Sequence, residues 1–373
     1  VRRMQPDGRA LIDTGQFAGT VVFLDSLRHP TAEGPKFYKR DGWYWIFAPA
    51  GGVATGWQLA MRSRSPLGPY EVRTVLEQGA TPVNGPHQGA SVTLANGESW
   101  FLHFQDRGAY GRIVHLQPMQ WRSDGWPVIG RAGINDTAGI PVTKATMPRV
   151  VAGQHASPSL QTSDEFDRAR PGPQWQWQAN PQASWLDTTA NGVLRLRAAP
   201  LALPARNLWD APNLLLQKFP AESFDVQVQL STKGGMAGDR AGLVVFGRDY
   251  AWIGFVRTAA GWDLVVAQRT DADKGQPDVA QVLRSFTTEA DVQRLVVRLE
   301  VRSEGRDSAA VAFRYSTDGT TFQTAPGTFR AREGSWVGAK FGLFATSVSM
   351  TPTRSPMTLT TNYVRVTSHV EKP

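Results

Sequence analysis

PKFYKR (35–40), Asp41-Gly42 and WYWIFA (43–48) read as a strand, a two-residue turn and a second strand. Asp-Gly supplies the positive φ angles that such a turn needs, and the flanking aromatic residues suit a pleated, half-buried surface. The device returns 55 residues later in GASVTLANGESWFLHF (89–104), where Asn96-Gly97 joins the strands, and Asp124-Gly125 follows WRS (121–123). Strand–turn–strand units repeated at this spacing predict the small four-stranded sheets of a β-propeller. At about 55 residues per sheet, even the roughly four blades of the smallest propellers need more than the roughly 130 residues that carry the pattern. The ring is therefore expected to be partial within this chain.

Downstream the pattern changes. TAGIPVTKATMPRVVAGQHASPSLQTSDEF (137–166) has no regular period and is rich in Pro, Gly and Ser, as linkers are. From about 164 long alternating runs take over. Phe224, Val226, Val228 and Leu230 alternate with polar residues; so do Leu295, Val297, Leu299 and Val301; AAVAFRYS (309–316) runs into Asp318-Gly319. Period-two alternation marks half-buried strands, and about ten such runs with almost no helix predict a two-sheet sandwich. The expected organisation is a partial propeller over 1–136, a linker over 137–163 and a sandwich over 164–373.

Composition narrows the function. No apolar run is long enough to span a bilayer, so no membrane partner is expected. The net charge of +8 is spread out, 16 basic against 11 acidic residues before 150 and 24 against 21 after it, which argues against nucleic acid. Zero Cys excludes disulfides, thiolate metal sites and Cys nucleophiles. It fits an extracytoplasmic or a cytoplasmic life, with the periplasm or secretion favoured. Thirteen Trp suit either cores or sugar-stacking surfaces.

Three segments could carry chemistry. Glu33 lies between Pro30 and Gly34-Pro35 at the entry of a strand, where a carboxylate is held rigidly; a general acid needs such fixed geometry and a raised pKa. By spacing alone it reads first as a solvent-exposed turn acid. NGPHQGAS (84–91) sets His87 and Gln88 between glycines, and HFQDRGAYGRIVHLQPMQW (103–121) gathers His103, Gln105, Arg112 and His115. Planar hydrogen-bonders beside aromatic surfaces suit sugar hydroxyls, while a lone His in such a span also reads as structural.

At these residues the chain resembles glycoside hydrolase family 43. EGPKFYKRDGWYWIFAPAGG (33–52) resembles that family's third-blade motif, whose Glu is the general acid, and RSRSPLGPYE (62–71) resembles the element after it. GPHQGA (85–90) is similar to a segment whose His lies beneath the catalytic centre, often linked to a central calcium ion. GRIVHLQPMQWRSDGWPVIG (111–130) is similar to the closing-blade segment, whose Arg contacts the sugar. HFQDRGAYGR (103–112) looks like the branch acting on arabinosyl or xylosyl residues, with a slight lean to arabinofuranosidase. QWQWQANP (174–181) and GDRAGLVVFG (238–247) resemble the concanavalin-like sandwich of β-xylosidases and arabinofuranosidases. SWVGAKFGLF (335–344) matches the loop that in relatives offers an aromatic residue, here Trp336, to the pocket.

The resemblance implies an all-β protein, a partial five-bladed β-propeller followed by a concanavalin-like β-sandwich. It implies an inverting exo-glycosidase acting on an oligosaccharide or polysaccharide of plant cell walls. Glu33 would be the acid; Arg112, Gln88, Gln105 and Trp336 would bind sugar; His87 would face a structural calcium ion; no organic cofactor is expected. In relatives a further calcium lies between an early D-E-F, here Asp164-Glu165-Phe166, and a late D-F-D-Y, which here reads Thr360-Thr361-Asn362-Tyr363 and lacks both carboxylates. The family's base and its pKa-modulating Asp lie on first blades that match nothing here, so an N-terminal propeller segment is an expected partner. The alternative is a non-catalytic carbohydrate-binding protein with a degenerate propeller.

Overall fold

The computed structural model describes residues 1–12, 14–15, 18–132, 138–148, 160–189, 192–201, 207–349 and 355–369. Of the expected linker 137–163, residues 137 and 149–159 lie outside them. The chain forms two compact units, Val1–Asp106 with Arg112–His155, and Arg107–Gly111 with Ala156–Pro373. No helix among the described residues is long and apolar enough to cross a membrane.

The first unit holds two larger, mostly antiparallel sheets besides a two-stranded ribbon of 3–4 and 11–12. Strands β1 (Lys36–Arg40), β2 (Trp43–Ala50), β3 (Trp57–Ser63) and β4 (Glu71–Leu76) are adjacent in chain order, with short strands at 131–132 and 139–140 added beyond β4. Strands β5 (His87–Thr93), β6 (Ser99–Asp106), β7 (Arg112–Trp121) and β8 (Pro127–Ile129) make the second sheet. The Asp-Gly and Asn-Gly pairs sit at the expected turns, with Asp41 and Gly42 both at positive φ.

The sheets share a core because alternate residues of each face the other. Trp45, Phe47 and Ala60 come from the first sheet, Phe101, Met119 and Ile129 from the second, and Trp126 joins them. Arginines seal its edge. The Arg62 guanidinium lies 4.6 Å over Trp43 and 4.4 Å over Trp126, and donates to the Asp124 carbonyl at 2.9 Å. Arg73 also covers Trp126 and pairs with the Asp124 carboxylate at 2.9 Å. Cation–π contacts with desolvated guanidinium groups hold better than exposed ion pairs alone.

The far faces differ. Ile46, Ala48 and Met61 are buried with Val22 and Phe23 packed against them, while Leu24 remains 83% exposed. On the second sheet Leu102, Leu116 and Val114, the last 66% exposed, share an open face. Apolar faces of this kind ordinarily mark contact surfaces.

The second unit is a sandwich of two eight-stranded sheets. One contains β9 (Gln176–Trp177), β12 (Leu215–Lys218), β14 (Arg240–Phe246), β15 (Tyr250–Arg257), β16 (Trp262–Arg269), β17 (Val279–Phe286) and β20 (Lys340–Ser347). The other contains β10 (Leu186–Thr189), β11 (Val193–Arg197), β13 (Phe224–Lys233), β18 (Leu295–Ser303), β19 (Ala309–Ser316) and β21 (Thr358–Ser368). The alternating apolar residues meet between the sheets: Phe224, Val226, Val228, Leu230, Leu295 and Val297 are all essentially inaccessible. The Arg107–Gly111 turn adds to this unit. Ala109 is buried in the sandwich core and its backbone bonds Asp307 and Ala339, while Arg107 pairs with Asp307 and Glu222.

Candidate active site

Glu33 is fixed by its neighbours in the chain. Its N–H bonds the Pro49 carbonyl at 3.1 Å, and the Pro30 carbonyl accepts from Gly51 at 2.8 Å, so the turn is pinned to the end of β2. Its side chain receives two donors on one oxygen, His87 Nε2 at 3.0 Å and Gln88 Nε2 at 2.9 Å from Oε1. They reach it because the register of β5 against β6 shifts between His87 and Ala90. A bulge of this kind re-aims side chains, and Gln88 adopts a φ of 54° within it. Gly34 faces the Gln88 amide so closely that any Cβ there would collide with it. Gly89 likewise leaves room for the Phe101 ring.

The electrostatics follow from this geometry. Hydrogen bonds from His87, then from Gln88, hold the Glu33 carboxyl below the usual carboxylate range, and the Arg112 charge acts in the same direction. Glu33 also lines a cavity of about 600 Å³ with Val22, Phe23, Leu24, His29 and Met61. Asp25 lines it too, a residue that the sequence reading did not single out. Its carboxylate caps a local turn, accepting from Arg28 N at 3.1 Å and Arg28 Nε at 2.7 Å. The signal available in the sequence was the Asp25-to-Arg28 spacing of such a turn.

The other expected residues separate. Arg112 lies 4.5 Å over the Phe104 ring, and its buried Nε has no hydrogen-bond partner among the described residues. Gln105 is buried, not presented to the cavity: its amide donates to Pro82 and Asn84 and accepts from His115. Trp336 belongs to the second unit, where it is 79% exposed at a φ of 59°.

The resemblance sets His87 beside a structural calcium ion, and its buried Nδ1 has no hydrogen-bond partner among the described residues. His87 is 1% exposed with Nε2 directed at Glu33, and the described residues hold no group of three His, Asp or Glu that could bind a metal. Calcium takes about six to eight oxygen ligands, which a lone imidazole does not supply. In the sandwich, the Asp164 carboxylate accepts from Phe166 N, Gly172 N, Gln174 Nε2 and Trp175 Nε1. Glu165 forms a two-pronged pair with Arg365 at 2.7 and 3.0 Å. A guanidinium on β21 thus neutralises the acid that a cation would need.

His103, stacked on His115 at 5.2 Å, is 2% exposed and its pKa is lowered to about 4, first by burial. The folded protein therefore refuses a proton that the unfolded chain accepts near pH 6.5. Stability is expected to fall as pH drops from 6.5 toward 4, by about 3 kcal/mol in total from this group. Urea unfolding of the wild type and of His103→Gln across that range should show a shallower pH slope in the variant.

Two packed propeller-type sheets with a rigidly held carboxylate, followed by a two-sheet sandwich, are the architecture that the resemblance to glycoside hydrolases implies. The chain belongs to glycosyl hydrolases family 43: that family's model matches residues 2–127, and the beta xylosidase C-terminal Concanavalin A-like domain matches 163–356. A Xylanibacter ruminicola protein, whose name assigns it provisionally to the beta-xylosidases, is 37% identical over 348 residues, covering 93% of this chain and 60% of its own length. A non-reducing end alpha-L-arabinofuranosidase of Bacteroides ovatus is 29% identical over 61% of this chain and 45% of its own. The crystal structure of xylan beta-1,4-xylosidase from Bacillus halodurans shares the fold at a TM-score of 0.75 and 19% identity, over 98% of this chain and 70% of that one. The chain spans less than two thirds of the curated relatives' length.

Proposed function

We propose that this chain supplies the general acid and part of the sugar pocket of an inverting exo-glycosidase that releases xylosyl or arabinofuranosyl residues from plant cell-wall glycans. The observation that carries the proposal is the arrangement at Glu33. Both donors fall on Oε1, so Oε2 is the oxygen that can offer a proton to a leaving group. The first two curated relatives bear xylosidase names, which moves the reading from arabinofuranosyl toward xylosyl release.

An acid catalyst needs a raised pKa, yet His87 and Gln88 depress that of Glu33. The proposal therefore includes a second carboxylate, on a further propeller segment, whose like charge lifts Glu33. Another Asp there activates water, with roughly 6.5–9.5 Å between acid and base. The open apolar faces around Leu24 and Val114 are where such sheets pack. Arg112 holds sugar hydroxyls in this scheme. The same depressed pKa also favours the second reading, a glycan-binding protein without turnover.

Proton NMR on a β-xyloside, using protein assembled with the remaining propeller, separates these readings. Inversion releases α-xylose first; first-formed β-xylose contradicts the inverting mechanism, and no product supports the binder.

A further inference from the structure

The sandwich carries a pocket that the reading above does not use. It has a volume of about 520 Å³ and opens beside β9 in one sheet and β10 in the other. Trp175, Trp177, Pro171 and Pro181 line it, together with the exposed Arg170 and Gln182. Its size falls within the roughly 300–1,000 Å³ of small-ligand sites. We propose that this pocket is a second glycan site, which takes pentose units of a neutral polysaccharide chain.

The chemistry favours a sugar. Trp177 on β9 and Trp175 just before it both line the pocket, so two indoles serve the same space. Flat rings suit the C–H faces of a pyranose, and a guanidinium and an amide suit its hydroxyls. Among the described residues no carboxylate lines the pocket, which disfavours a cation.

The wall is also built before any ligand arrives. Asp164, 4% exposed, accepts from Trp175 Nε1 at 2.9 Å and from Gly172 N at 3.1 Å. Its own N–H bonds the Val364 carbonyl at 2.8 Å, which ties the strap to β21. Trp177 packs against Trp185 at 5.4 Å. The acid that the family resemblance marks as a calcium ligand thus acts here as a positioning residue for an aromatic wall. Preorganisation of this kind reduces the ordering cost of binding. The choice of pentose rests on the proposed function; the presence of a sugar site rests on the pocket.

Native electrophoresis of the 373-residue chain through gels containing neutral arabinoxylan tests the proposal. Retardation is expected, and Trp177→Ala should weaken it roughly tenfold, the ratio that one lost stacking contact of ordinary strength gives. Because Trp177 also touches the core, Ala183→Trp at an exposed lining position provides a second variant, which fills the pocket without removing packing. It should abolish retardation while circular dichroism stays unchanged. Full retardation of Ala183→Trp, or none of the wild type, overturns the site. Loss in Arg112→Ala alone assigns all binding to the Glu33 region and likewise overturns it, leaving the proposed function intact. Retardation that depends on the sandwich pocket while the assembled protein hydrolyses nothing would refute that function and leave this site standing.

Discussion

The 373-residue chain by itself is expected to show no glycosidase turnover on aryl β-xylosides or arabinofuranosides. An inverting reaction needs a carboxylate to activate water as well as one to protonate the leaving group. Glu33 is held ionised by His87 and Gln88, the wrong state for an acid at neutral pH. Asp25, which lines the same cavity, has both oxygens engaged by Arg28. Leu24, outside the strands, and Leu102 and Val114, on the open face of the second sheet, are exposed, so the isolated chain should also associate on size exclusion. Supplying the further propeller segment should restore both a single species and turnover. Robust activity of the chain alone would require a base within it, and Asp25→Asn would be the first variant to make.

Glu33→Gln in the assembled enzyme should slow hydrolysis of natural oligosaccharides by about 10²–10⁴-fold, the usual contribution of a positioned proton donor. Aryl glycosides with good leaving groups depart without protonation and should lose far less. The amide keeps the shape of the carboxyl and can still meet Gln88, so the fold and the affinity for product should be unchanged. Equal losses on both substrate types would remove Glu33 from the acid role.

The strands were legible because their determinants are local. Asp41-Gly42, Asn96-Gly97 and Asp124-Gly125 needed only the turn chemistry of two residues, and each lies between strands as read. The alternation from Phe224 to Leu230 and from Leu295 to Val301 placed each alternate apolar residue in the sandwich core. Glu33, His87 and Gln88 were individually legible, but their meeting was not. It depends on a bulge between His87 and Ala90 and on a contact across 54 residues, and neither leaves a period in the sequence. The resemblance made His87 a calcium neighbour and Gln105 a sugar ligand, whereas long-range packing sets His87 on Glu33 and buries Gln105 among Pro82, Asn84 and His115. The same limit hid the insertion of Ala109 into the sandwich core, since a Gly-Ala-Tyr turn looks like any solvent-exposed hairpin end.

The central claim is that Glu33 is the proton donor to a departing sugar. A crystal structure of the assembled Glu33→Gln enzyme with an uncleaved xylo-oligosaccharide tests it most directly. The account predicts the scissile oxygen within about 2.6–3.2 Å of the amide atom that takes the place of Oε2, the reach of proton transfer. His87 should remain on the other atom of that amide, and the Arg112 guanidinium should lie on sugar hydroxyls. A bound oligosaccharide whose scissile bond lies away from position 33, with the substituted side chain facing solvent, would contradict it.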